Sequence, residues 1–145
     1  MTTPGAAPRS YPISIKGVVV RDGLVLLLKN EREEWELPGG RIEIGETPEE
    51  CVAREITEET SWPVTTGPVL NSWMYHIHAV DKHVFIVTYG CYPDTDAEPV
   101  LSHEHKEVGL FPESAIADLN MPEGYKRSIS AWFARLRAAE SELVG

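Results

Sequence analysis

The chain has 145 residues and carries 13 lysines and arginines against 23 aspartates and glutamates, a formal charge of −10. That acid excess argues against a nucleic-acid backbone or an anionic membrane surface as partner, since both need basic surface. No apolar run approaches a membrane span and no signal peptide opens the chain, so a cytoplasmic protein is expected. In chain order, residues 1–11 are rich in small residues and proline and read as a flexible N-terminal tail. Residues 12–145 read as one domain, long enough to bury about 70% of its unfolded surface.

Ile13 to Val20 and Leu24 to Leu28 are β-branched and aliphatic, and Arg21-Asp22-Gly23 between them marks a hairpin. Leu37-Pro38-Gly39-Gly40 is a turn whose glycines let backbone approach a ligand. A helix follows. Thr47 suits the N-cap, Pro48 the first helical position, and Glu50 completes a capping box; Thr60-Ser61-Trp62-Pro63 stops it. Val52 and Ile56, with Ala53 and Cys51, give this helix an apolar stripe. Val69 to His78 and Val84 to Tyr92 read as strands turned by Asp81-Lys82, Pro112 to Leu119 as a short helix, and Tyr125 to Leu143 as a terminal helix with apolar residues at Tyr125, Ile129, Trp132, Phe133 and Leu136. This order predicts a layered α/β (α+β) fold. Cys51 and Cys91 have no metal-ligand spacing and read as reduced, packed thiols.

Residues 40–62 hold seven glutamates, opposed only by Arg41 and Arg54. On a helix, positions three and four apart have Cβ atoms about 5–6 Å from each other. Glu55, Glu58 and Glu59 therefore share one edge, where like charges repel and raise one another's pKa. A hard divalent cation reverses that penalty. Magnesium and manganese prefer oxygen donors, and magnesium takes few protein ligands while keeping water and phosphate. The plainer alternative is a solvated acidic face.

The string resembles the signature of the Nudix hydrolases, G-x5-E-x7-R-E-U-x-E-E-x-G-U with U a bulky aliphatic residue. Gly40, Glu46, Arg54, Glu55, Ile56, Glu58 and Glu59 match; Ser61 stands at the last glycine and Trp62 at the last U. Serine in a left-handed C-cap costs about 1 kcal/mol and points away from the carboxylates. Trp35 to Gly40, His103 to Phe111 and Pro122 to Tyr125 also look family-like, as in small single-domain, MutT-like members.

The resemblance implies an α/β/α sandwich with a mixed sheet between helices, and metal-dependent hydrolysis of a pyrophosphate bond in a nucleoside diphosphate linked to another moiety, with nucleoside triphosphates or a broad range mildly favoured. It implies that Glu55, Glu58 and Glu59, with the Gly39 or Gly40 carbonyl, hold Mg²⁺ or Mn²⁺. Arg54 would orient the carboxylates and Glu46 support the loop. The general base would be a box glutamate or one on a later loop. Glu104 is the favoured candidate, although His103-Glu104-His105 also reads as a solvated turn, and as a zinc site only weakly. Trp35 at the pocket edge, Arg41, Tyr75 and Tyr125 are candidate substrate contacts. Arg41 reads equally as a partner of Glu43, and the aromatics, with Trp73, His76, His78 and Phe85, as core. A homodimer is common in the family. The rival reading is a nucleotide-sensing domain that has lost catalysis. An EF-hand is excluded by the lack of its loop pattern.

Overall fold

The computed structural model describes residues 9–144; the expected tail falls largely on residues 1–8, outside the described residues. Strands are β1 (Ile13–Arg21), β2 (Leu24–Lys29), β3 (Trp35–Glu36), β4 (Gly39–Arg41), β5 (Val64–Ile77), β6 (Lys82–Pro93) and β7 (Glu107–Pro112). Helices are α1 (Pro48–Thr60) and α2 (Glu123–Val144), with 3₁₀ turns at His78–Val80 and Glu113–Asp118. All seven strands join one mixed sheet in the order β3-β2-β1-β6-β5, with β4 paired to β1 and β7 to β2. Only β1 and β6 run parallel.

The period-2 alternation of β1 and β2 sorts their side chains to two faces. Val18, Val25 and Leu27 pack with Ile129, Trp132 and Phe133 of α2. Ile15, Val19 and Leu26 pack with Cys51, Val52 and Ile56 of α1. The result is helix, sheet, helix, and it places the acidic edge of α1 against β4. Both faces are dense with fully buried aliphatic side chains, each contributing about 1.5–3 kcal/mol.

Local signals set the elements. Asp22 (φ 53°) and Gly23 (φ 77°) are both left-handed, as a tight hairpin turn requires. Thr47 accepts from the Glu50 N–H and Glu50 accepts from the Thr47 N–H, the reciprocal box that starts α1. Ser61 ends it in the left-handed region (φ 64°) with its N–H on the Thr57 carbonyl. Trp62 serves the role of an aliphatic residue: it is fully buried, donates to the Ala97 carbonyl at 3.0 Å and carries the Arg21 guanidinium 4.3 Å above its ring.

Some bounds differ from the sequence reading. β5 begins at Val64 because it continues past Gly67-Pro68 through register shifts between Thr66 and Asn71. Proline removes a ladder donor, and a bulge absorbs the defect. His78 falls in the 3₁₀ turn rather than on a strand, and the helix read over Pro112 to Leu119 is a 3₁₀ turn at Glu113–Asp118.

Candidate active site

Arg54 is the hub of the acidic edge. Its Nε and Nη2 donate to the two oxygens of Glu46 at 2.9 and 2.8 Å, and its Nη1 donates to Glu55 Oε1 at 2.9 Å and to Glu58 at 3.2 and 3.3 Å. Bidentate guanidinium–carboxylate geometry fixes both partners. The Arg54 bonds, with the Glu43 N–H, hold Glu46 down to about 2. Glu46 thereby anchors the loop ahead of α1.

The three candidate metal ligands lie on one helical edge but their carboxylates turn different ways. Glu58 is 59% exposed and faces Arg54. Glu55 is half-buried against Gly40: a Cβ at Gly40 would lie 2.5–2.8 Å from the Glu55 carboxylate atoms, so only glycine admits this approach. Glu59 is 5% exposed and points under β4, accepting the Gly39 N–H at 2.7 Å. Like charges separate in this way when the Arg54 guanidinium, Lys16 and a backbone N–H each draw a carboxylate in a different direction. Among the described residues these three do not form a set of ligand atoms within 4.8 Å of one another.

Beneath the edge lies a polar cluster that local sequence patterns do not reveal. His105 Nε2 is 3.1 Å from Glu36 Oε1 and 3.5 Å from Glu59 Oε2. Burial opposes the charge on Lys16, but the Tyr125 hydroxyl and the carboxylates of Glu36, Glu59 and Glu55 outweigh it and raise its pKa. Glu36 falls to about 2, because Lys16, His105 and Asn30 overcome the effect of its burial. Glu59 is pushed up to about 7 by burial, despite Lys16, the Gly39 N–H and His105. Burial also raises Glu55. The hydrogen bond to Glu36 leads the causes that raise His105. Buried carboxylates with raised pKa lack positive charge, which is the deficit that a divalent cation fills.

A cavity of about 350 Å³ opens at one end of this cluster, lined by Arg32, Glu34, Tyr75, His76 and the Asn120–Pro122 segment. A hydrogen-bonded path joins it to α1: Tyr75 donates to Glu34, Asn30 contacts Glu34 and Glu36, and Glu36 meets His105 beside Glu59.

A model of the NUDIX domain matches residues 11–133. The chain belongs to the Nudix family. A MutT-like protein of Streptomyces ambofaciens is 50% identical over 109 residues, covering 74% of this chain and 68% of that protein. YjhB of Bacillus subtilis (strain 168), provisionally named an ADP-ribose pyrophosphatase, is 27% identical over 143 residues, covering 94% and 68%. The crystal structure of a MutT protein from Methanosarcina mazei Go1 superposes with a TM-score of 0.74 at 26% identity, covering 91% of this chain and 99% of that one. This chain is thus a Nudix pyrophosphohydrolase acting on a nucleotide-type pyrophosphate.

The other candidate residues are placed as follows. Gly40 contributes its carbonyl next to the Cys51 thiol at 3.7 Å, and Gly39 contributes its N–H to Glu59. Glu104 and His103 are exposed on a turn, and His105 beside them is the residue that turns inward. Arg41 is exposed; of its two readings, the pairing with Glu43 is not made, and Arg54 lies 3.9 Å from Glu43 instead. Trp35 packs edge-on against Phe111 at 4.7 Å and joins the α2-side core. Tyr125, expected as a substrate contact, is 2% exposed and lies edge-on beneath Trp73 and Tyr75, so it supports the cavity wall from behind. Lys16 and Glu36 were given no site role in the sequence reading, and His105 was read only as part of a solvated turn or a weak zinc site. A lysine inside an otherwise apolar strand, Ile15-Lys16-Gly17-Val18, was the available signal.

Proposed function

We propose that this chain hydrolyses a nucleoside diphosphate linked to another moiety, with a nucleoside triphosphate as the leading substrate class, and that Mg²⁺ or Mn²⁺ is required. Glu55, Glu58 and Glu59 would hold the ion with the Gly39 or Gly40 carbonyl. The donor set fits: all are oxygens, and Glu55 and Glu59 have pKa values raised by burial. When bound, such an ion neutralises phosphate charge and acidifies a coordinated water.

The observation that carries the reading is Arg54 clamped between Glu46 and the Glu55–Glu58 pair. It holds two candidate ligands, Glu55 through Oε1 alone, which leaves Glu55 Oε2 free of it, and Glu58 through both oxygens on an exposed side chain. Gly40 admits Glu55 against the backbone. Glu104 is the proposed general base; His105, bound to Glu36 and Glu59, tethers its loop beside the box. Tyr75 and Arg32 in the adjoining cavity would contact the nucleoside end, and Arg41 a phosphate. YjhB's name makes ADP-ribose the principal competing substrate. The two buried free thiols, with pKa values pushed up to about 12 by burial, suit a reducing cytoplasm.

The test is a panel of nucleoside triphosphates, ADP-ribose, sugar nucleotides and dinucleoside polyphosphates with Mg²⁺ or Mn²⁺, scored by product. Glu58→Gln and Glu59→Gln should each abolish most turnover. Activity within a few-fold of the parent in both would refute the ligand assignment.

A further inference from the structure

The tip joining β5 to β6 gathers a second set of ligand-type side chains, remote in sequence from α1. Its residues are His76, His78, Asp81 and His83. Register puts His76 directly opposite His83 across the two strands, a relation that brings Cβ atoms to about 4.5–5.5 Å. Asp81 closes the turn in a left-handed conformation (φ 48°), with its N–H on the His78 carbonyl at 3.3 Å. That bend carries its carboxylate back over the pair, where His76 Nε2 lies 2.9 Å from Asp81 Oδ1.

One ligand atom from each of His76, Asp81 and His83 lies within 4.8 Å of the other two, and no other such trio occurs among the described residues. The His83 ring stacks on His76 at 4.2 Å, and the His78 ring is 3.9 Å from His76 on centroids. Apolar packing does not account for the arrangement: Asp81 and His83 are exposed, and His76 is partly so.

We propose that this tip is a second metal site, which takes a borderline divalent cation of the zinc class through His76, His83 and Asp81. The donor chemistry separates it from the α1 edge. Two imidazoles and a carboxylate select zinc, cobalt, nickel or copper, whereas an all-oxygen edge suits magnesium or manganese. His78 or water supplies the fourth position of a tetrahedral ion. The stacked rings must rotate to aim their nitrogens at one point, and the exposed His83 is free to make most of that movement. His76 and His78 also line the 350 Å³ cavity, so the ion would stand at its rim.

The experiment uses tag-free, metal-stripped protein in excess Mg²⁺, titrated with Zn²⁺ by calorimetry and with Co²⁺ by visible absorption. One saturable equivalent is expected, with nitrogen-ligand bands for cobalt. His83→Ala and Asp81→Asn should each weaken Zn²⁺ binding by about 10-fold or more, while Glu58→Gln leaves it unchanged. Asparagine tolerates the left-handed turn, so Asp81→Asn serves as the readout if His83→Ala fails to fold, and circular dichroism checks each variant. The proposal is overturned if no saturable binding occurs. It is equally overturned if Glu58→Gln removes the binding and the tip variants retain it.

Discussion

His105 Nε2 lies 3.5 Å from Glu59 Oε2, so a residue on the β6–β7 connection is bound to a residue in the last turn of α1. The same nitrogen is 3.1 Å from Glu36 Oε1, which pins that connection to β3 as well. The loop carrying Glu104 is therefore positioned by its neighbour.

This pairing separates two roles by mutation. His105→Ala leaves two buried carboxylates short of a donor and should lower the unfolding free energy by about 1–3 kcal/mol. It should also reduce turnover at temperatures where the variant is folded. Glu104→Gln should reduce turnover and leave stability unchanged. Urea unfolding with initial rates for both variants decides the matter; a fully active Glu104→Gln would remove it as base.

Glu59 makes stability depend on pH in the metal-free protein. Its folded pKa of about 7 exceeds the ordinary 4.5. Between those values the folded state binds the extra proton and the unfolded state does not, so stability falls as pH rises, by on the order of 3 kcal/mol in all. Glu36, held at about 2, acts oppositely: its contribution is lost as pH falls from 4.5 towards 2. Stability in EDTA should therefore peak near the pH where both arms are satisfied, around 4.5–5. Glu59→Gln should flatten the neutral arm, and Mg²⁺ should restore stability at high pH. Chemical denaturation across pH measures all three.

Gly40→Ala places a methyl group on the Glu55 carboxylate. The obstacle is the end of a flexible side chain, so the fold should survive while Glu55 is displaced. Misplacement of a reacting group on this scale costs about 10–100-fold in rate. A variant that melts with the parent and has lost turnover supports the close approach; one with parental kinetics contradicts it.

Ser61→Gly should stabilise the protein. Serine in the left-handed region costs about 1–2 kcal/mol, and glycine's extra freedom in the unfolded chain returns about 0.4–1. The net gain of about 0.5 kcal/mol corresponds to a rise of about 1–2 °C in Tm. A calorimetric scan with no rise, or a fall, would show that Ser61 gains something else at the α1 terminus.

Much of the fold was legible because its determinants are local. The Thr47–Glu50 box, the Asp22-Gly23 turn and the Cys51–Val52–Ile56 stripe each act within a few residues, where propensity and periodicity operate. The β5 start was hidden by Gly67-Pro68, which reads as a break in one dimension and forms a bulge when β6 lies alongside. The partner of Glu43 and the place of Tyr125 were hidden for a related reason: which arginine reaches Glu43, and whether a tyrosine lines a cavity or supports it, depends on how the loop and strands pack.

The amino-acid string alone determined that Glu55, Glu58 and Glu59 share an edge of α1 behind a glycine turn, since helical winding relates residues three and four apart regardless of the rest of the molecule. Only the tertiary structure decided that Glu55 lies against Gly40 and that Glu59 turns inward to Gly39, Lys16 and His105, away from the Arg54 that its helix neighbours share. Burial and charge pairing between distant segments exist only once β1, β4 and the β6–β7 loop are packed against the helix, and those two terms set each carboxylate's direction and affinity for protons.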